Sequence, residues 1–127
     1  MIFGIGTDLV KVSRIASTLN RFGSQFVNRI LSPREREEFD TYTRDKSQFL
    51  ASRWAIKEAT YKALGATGVP FRSIQVLYQR PGIRSPLVVE FEGKAKEVAD
   101  KANIDSCHVS VSHEDDYCVA FVVLEKK

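Results

Sequence analysis

The chain has 127 residues, 43% of them hydrophobic and 28% charged, with a formal net charge of +3. A chain of this length forms one domain with a small core that gains from association. Its composition excludes low-complexity and repeat architectures, and no apolar run is long enough to cross a bilayer. The cation surplus is too mild to demand nucleic acid, yet compatible with an acidic partner or a phosphate-bearing ligand.

The opening segment MIFGIGTDLV has neither a basic leader with a cleavage site nor an Arg- and Ser-rich presequence. It reads as structure, and a cytoplasmic location is the default expectation, with a mitochondrial one open for a eukaryotic source. Residues 2 to 8 alternate, with Phe3, Ile5 and Thr7 on one face and Gly4, Gly6 and Asp8 on the other, as in a strand with one stripped face. Ser13 is the expected cap of a helix in which Ile15, Leu19, Phe22 and Phe26 form an apolar stripe, while Arg14, Thr18 and Arg21 take another face. SPREREEF restarts helix, with Ser32 as N-cap, Pro33 in the first turn and Glu35 completing a capping box, continuing to about Tyr42.

After the break at TRDKS, the strongest helix signal runs from about Ser47 to Leu64 and stops at Gly65 in the left-handed conformation, before the flexible turn GATGVP. SIQVLYQR and PLVVEF read as a strand pair around PGIRS, and GKAKEVADKA as a helix over 93–102. CHVSVSH and YCVAFVVLE flank the acidic turn EDD as an antiparallel hairpin. Cys107 and Cys118 fall in these strands without metal-ligand spacing and read as small hydrophobes of a reducing compartment. The order β, three α, β, β, α, β, β predicts an α+β fold: a small antiparallel sheet packed against helices, one of them long and central, in a single domain.

The chemistry concentrates in WAIKEATYKALG, residues 54 to 65. Trp54, Glu58 and Lys62 are successive i, i+4 neighbours, so Lys62 is the natural companion of Glu58, while Lys57 projects at about 100° from it. An exposed Glu–Lys pair is the ordinary role of such residues. However, Phe49, Leu50, Ala51, Ala55, Ile56, Ala59 and Leu64 make this helix apolar around much of its girth. A half-buried Glu58 then needs a partner, either Lys62 or a metal ion.

Asp8 has an ordinary role as a turn or capping residue, but Gly4 and Gly6 on its face leave a trough that a ligand or another backbone can enter. Magnesium takes one or two protein carboxylates and completes its shell with water and phosphate, which suits Asp8 with Glu58. Arg53 and Lys57 would add charge for a polyphosphate. Sequence alone does not bring residues 8 and 58 together. His113, on a face with Val109 and Val111, reads equally as a core-edge histidine or a ligand contact, and His108 on the opposite face has no assigned role. A magnesium-dependent nucleotide hydrolase would use the same acids. A nucleic-acid module is disfavoured because aromatic residues are not interleaved with the cations.

Three blocks, GIGTDLVKVSRI with Asp8, FLASRWAIKEATYKALG with Glu58 and Lys62, and HVSVSHEDDYCVAFVVLE with His113, resemble the signature blocks of the holo-acyl-carrier-protein synthase family of small 4'-phosphopantetheinyl transferases. They occur in family order and span nearly the whole chain. The resemblance implies transfer of 4'-phosphopantetheine from coenzyme A to a serine of apo acyl carrier protein, dependent on Mg²⁺, with release of 3',5'-ADP. It implies that Asp8 and Glu58 bind the metal together with the pyrophosphate, that Lys62 contacts the transferred phosphate, and that Arg53, Gly65 and His113 lie along the coenzyme.

Pro86 falls where the family carries a Gly-Lys-Pro turn beside the adenine. Here Arg84 and Ser85 stand for Gly and Lys, and Arg84 is the alternative source of charge. Glu58 is the first candidate for the base that takes the serine proton, with Lys62 as rival, so the catalytic set is Asp8, Glu58 and Lys62. Arg14 and Arg21 lie on the exposed side of the first helix, where the resemblance implies docking of the carrier's acidic helix. It also implies a homotrimer with active sites at subunit boundaries and no nucleic-acid or membrane partner.

Overall fold

In the computed structural model, which describes residues 1–127, the stripped face of the first strand is filled by a helix. Strand β1 (Ile2–Lys11) turns Gly4 and Gly6 toward helix α4 (Lys46–Leu64). A Cβ placed on Gly4 would lie 2.1 Å from the carbonyl oxygen of Ala63, and one on Gly6 would lie 1.7 Å from that of Ala59. No side chain fits at either separation, so another backbone, and not a ligand, occupies this part of the trough. The helix answers with Ala51, Ala55, Ala59 and Ala63, all buried and spaced one turn apart.

Between β1 and α4 lie α1 (Val12–Phe22), α2 (Ser24–Ile30) and α3 (Pro33–Thr41). After α4 come a 3-10 turn (Phe71–Ser73), β2 (Ile74–Tyr78), β3 (Leu87–Phe91), α5 (Gly93–Lys101), β4 (Ile104–Glu114) and β5 (Tyr117–Lys126). The α+β class and the long central helix are as expected. The strands, however, divide into two sheets, a three-stranded one in the order β1-β5-β4 and the separate pair β2-β3. Within the larger sheet all pairing is antiparallel, with Asp8 opposite Ala120 and His113 opposite Cys118.

Two expectations about the first helix fail. It does not run through to Phe26, because Gly23 at φ 56° ends it and α2 begins immediately afterwards. Phe22, expected in the buried stripe, is therefore 49% exposed at the helix end. Nor does Ser13 cap the helix: the N-cap is Lys11, with no side-chain cap bond. The cap comes from the β4–β5 turn, where the Asp116 carboxylate accepts from Ser13 N at 2.9 Å and from Ser13 Oγ, and the Asp116 carbonyl accepts from Val12 N at 2.8 Å. An acidic turn meets unsatisfied amides at the positive end of a helix dipole, a cap invisible to local sequence.

The predicted capping box of α3 is present: Ser32 Oγ accepts from Glu35 N, and Ser32 N donates to Glu35 Oε1 at 2.9 Å. Helix α4 starts on an Asp45 cap and ends at Gly65 in the left-handed conformation, φ 68°. No helix is long and apolar enough to cross a membrane. Both cysteines are free, and His108 pairs with Glu125 on the face of the sheet turned away from α4. That face carries exposed apolar side chains, Phe3, Ile5 and Leu9 on β1 with Phe121 and Tyr117 on β5.

Replacing Gly6 with alanine forces the helix off the strand. Gly6→Ala is expected to cost about 3 kcal/mol or more, above the usual range for overpacking because the obstacle is backbone. Urea unfolding measures this, and an unchanged midpoint would contradict the close approach.

Candidate active site

Helix α4 carries four charged side chains, Arg53, Lys57, Glu58 and Lys62, within three turns, and the fold gives each a different environment. Lys57 is fully buried. Its ammonium donates to Glu35 Oε1 at 2.7 Å, to the Phe71 carbonyl at 2.8 Å and to the Ile74 carbonyl at 2.6 Å. Burial pushes its pKa below the ordinary 10.5, while the Glu35 carboxylate pulls it back up. All three ammonium donors are used. The expected contribution of Lys57 to polyphosphate binding is therefore wrong: this lysine ties α4 to α3 and to the start of β2.

Lys62 is exposed and reaches across to β1, donating to the Thr7 carbonyl at 2.9 Å and to Asp8 Oδ1 at 3.3 Å. Its hydrogen-bond partner is thus Asp8 and not its helical neighbour Glu58. Glu58 is half-buried, and its pKa is raised by burial first and then by the charge of Asp8, with Lys62 opposing. The fold has brought residues 8 and 58 into electrostatic reach of one another. The glycines that admit α4 onto β1 are what place Asp8 there.

No group of three or more His, Cys, Asp or Glu side chains is arranged so that it could hold a metal ion. Two mutually repelling carboxylates with one ammonium nearby are nevertheless a fitting donor set for a hard dication that keeps most of its shell for water and phosphate.

Arg53 lines a cleft of about 420 Å³ together with Arg44, Arg84, Pro86 and His113. It is only 4% exposed. Its guanidinium lies 3.9 Å from the centre of the Phe49 ring and 5.1 Å from that of Tyr78. Nη1 donates to Ser52 Oγ at 3.0 Å, whereas Nε and Nη2 have no hydrogen-bond partner. The nearest acid is Glu38, 3.8 Å from Nη2, an ion-pair contact too long for a hydrogen bond. Buried polar groups are nearly always satisfied, so two unpaired guanidinium donors on a residue that lines a cleft are an exception that calls for a partner.

The remaining predicted residues are spread around these groups. Gly65 caps α4 and does not line the cleft. Arg14 and Arg21 are exposed on α1, with Arg21 over the Phe22 ring. The charges of Asp8 and Arg53 both act on Cys118, whose thiol is pushed up to about 11 by burial and by Asp8 while Arg53 pulls it down.

A family model described as the 4'-phosphopantetheinyl transferase superfamily matches residues 4–122. The chain belongs to that superfamily. It is 41% identical, over 100% of its length and 99% of the relative's, to the holo-[acyl-carrier-protein] synthase of Hydrogenovibrio crunogenus. Its fold superposes on the crystal structure of the Neisseria meningitidis holo-[acyl-carrier-protein] synthase with a TM-score of 0.89 at 35% identity, covering 99% of this chain and 100% of that one. The Bacillus anthracis synthase, solved in complex with CoA (3',5'-ADP), gives a TM-score of 0.80 at 30% identity, covering 100% and 99% of the two chains. The chain is accordingly an enzyme, a phosphopantetheinyl transferase, and the fold class and resemblance read from its sequence hold.

Sequence reasoning missed Glu38, Ser52 and Tyr78 around Arg53. A signal was present: Glu35 and Glu38 lie one turn apart on α3, and Arg53 and Lys57 one turn apart on α4. Two acids so spaced match two bases so spaced when helices lie side by side.

His113 at the cleft has its pKa lowered from 6.5, by burial and then by the Arg53 charge. The unfolded chain therefore takes up a proton here before the folded one as pH falls. The stability owed to this group is full above 6.5 and is lost as pH falls through the folded value. An NMR titration is expected to place the His113 pKa below that of a free imidazole, and Arg53→Met is expected to raise it. A midpoint insensitive to that substitution would separate the two residues.

Proposed function

We propose that the chain transfers 4'-phosphopantetheine from coenzyme A to a serine of an apo acyl carrier protein, with dependence on Mg²⁺ and release of 3',5'-ADP. The observation that carries this reading is the buried Arg53, with two unpaired donors, lining the cleft on the same helix as Glu58 and Lys62 of the cluster with Asp8. An anion receptor and a charge-rich reaction centre on one helix suit a long ligand with phosphates at its middle and at one end.

In this reading Arg53, Arg84 and His113 receive the nucleotide end. Pro86 borders the adenine, and Arg84 supplies the charge of the family's missing lysine. Gly65 is exposed, and nothing lies within 4 Å of where a Cβ would stand, so the end of α4 offers open backbone to the coenzyme chain. Asp8 and Glu58 would hold the metal. When bound, Mg²⁺ supplies neutralisation of charge on the pyrophosphate oxygens.

Lys62, held at the Thr7 carbonyl and the Asp8 carboxylate, presents its ammonium to the phosphate being transferred, where charge spreads over the oxygens in the transition state. The serine hydroxyl oxygen bonds to the β-phosphorus as the bond from that phosphorus to the 3',5'-ADP oxygen breaks. The serine proton passes to a base. Glu58 is the first candidate, as the acid nearest the cations of α4, acting directly or through a metal-bound water, and Lys62 as proton relay is the rival.

The carrier's acidic helix docks on Arg14 and Arg21 of α1, where complementary charge speeds encounter and sets register. The test is incubation with apo carrier protein, coenzyme A and Mg²⁺, followed by mass spectrometry for the phosphopantetheine gain. Asp8→Ala and Glu58→Ala are expected to reduce transfer by about a hundredfold or more while the fold persists. Arg14→Ala is expected to weaken carrier affinity, most at low salt. Full transfer by both acid variants would remove the metal assignment, and consumption of coenzyme A without carrier would favour a hydrolase.

The exposed apolar face of the three-stranded sheet supports assembly as a homotrimer with active sites at subunit boundaries, since a small domain gains core by covering such a face. Light scattering is expected to give the mass of three chains for the unsubstituted protein and of one for Phe121→Glu. A single-chain mass for both would exclude the trimer.

A further inference from the structure

The environment of Arg53 contains an acid that the proposed reaction does not use. Glu38 on α3 accepts from Tyr78 N at 3.2 and 3.4 Å through its two carboxylate oxygens. That anchorage holds a carboxylate oxygen 3.8 Å from Arg53 Nη2. The spacing is too long to satisfy the donor and short enough for a strong Coulomb interaction in a half-buried setting. Glu38 is not needed to orient the guanidinium, which already stacks on Phe49 at 3.9 Å and is tied through Nη1 to Ser52. What Glu38 adds is negative charge beside the two idle donors.

We propose that Glu38 is a fixed counter-charge that weakens the hold of Arg53 on the anionic nucleotide end of coenzyme A and hastens loss of the product nucleoside bisphosphate. The inference rests on the coenzyme A reading of the cleft. Substrate and product carry the same nucleotide anion, so any excess affinity at Arg53 is shared by both and retards release of the product. A nearly buried guanidinium with no opposing charge would bind that anion with the full strength of a desolvated site. An acid pinned just beyond hydrogen-bond length leaves the buried Nε and Nη2 without a hydrogen-bond partner while lowering the field that the guanidinium presents to the cleft.

The charges that face Glu38 include Arg53 from α4, with Glu35 and Arg34 from its own helix. Its pKa is raised because burial outweighs the Tyr78 amide and Arg53. The carboxylate is thus kept in a place that does not favour it, as a stabilising ion pair would not require.

The experiment is isothermal titration with 3',5'-ADP. Glu38→Gln keeps the shape and an acceptor for Tyr78 N but removes the charge. It is expected to bind about three- to tenfold more tightly than the unsubstituted chain, with a lower KM for coenzyme A. Glu38→Ala, which also removes the acceptor, is expected to bind more tightly as well. In an Arg53→Met background the gain from Glu38→Gln is expected to vanish, and Glu37→Gln, an exposed acid on the same helix, is expected to change nothing. A merely structural role would loosen binding or leave it unchanged, so either result in Glu38→Gln overturns the inference, as does a gain that survives Arg53→Met. If the unsubstituted chain binds no 3',5'-ADP, the coenzyme A reading falls and this inference with it. If it binds and Glu38→Gln binds equally, only this inference falls.

Discussion

The candidate site depends on the seating of one helix backbone on one strand. Gly4 and Gly6 lie beneath the carbonyls of Ala63 and Ala59, and neither tolerates a Cβ. This contact contributes little apolar area, yet it sets the height, rotation and register of α4 at once. A slip of one residue would turn each charged side chain by about 100°. With the helix seated, Lys62 meets Asp8, Glu58 comes within reach of the same carboxylate, and Arg53 turns to the cleft.

A second constraint holds α4 from its other side. Glu35 and Lys57 form an ion pair with both side chains fully buried. Such pairs lose hydration and are tolerated when their remaining hydrogen bonds are met. Here Lys57 has three acceptors, and Glu35 accepts from Ser32 N, Val76 N and Lys57. The same two helices carry the neighbouring pair, Glu38 and Arg53, at 3.8 Å and with guanidinium donors unmet. One pair is closed and the other leaves donors unmet, one turn apart, and the contrast separates a residue whose hydrogen bonds are all spent on the fold from one whose hydrogen bonds are not. Sequence cannot draw it, since both lysine and arginine there read as cations on a helix.

The features legible in advance were local ones. The Ser32–Glu35 capping box, the Gly65 stop and the EDD hairpin are each written within a few residues, and all appear where expected. The stripped glycine face was legible too, though it left open whether ligand or backbone would fill it. The failures involve partners distant in sequence. Asp116 caps a helix 103 residues away from it, and Lys57 finds Glu35 at a separation of 22. The break at Gly23 was hidden because an apolar stripe continues in phase across it, from Leu19 to Phe26. The division into two sheets was hidden because strand periodicity says which face is buried but not which strand is adjacent.

The protonation behaviour of the two halves of the site follows from this seating and bears on the proposed reaction. At the cleft, Arg53 and burial together disfavour the imidazolium of His113, so positive charge there rests on guanidinium groups that do not titrate near neutrality. In the proposed reading, affinity for a nucleotide anion would then vary little through changes in the protonation of His113 near neutrality. At the other end, burial and then Asp8 raise the pKa of Glu58, while Lys62 opposes them. In the proposed reading, the charge that would bind the coenzyme and the charge that would take the proton sit at different points of one helix, so the first need not change state when the second does.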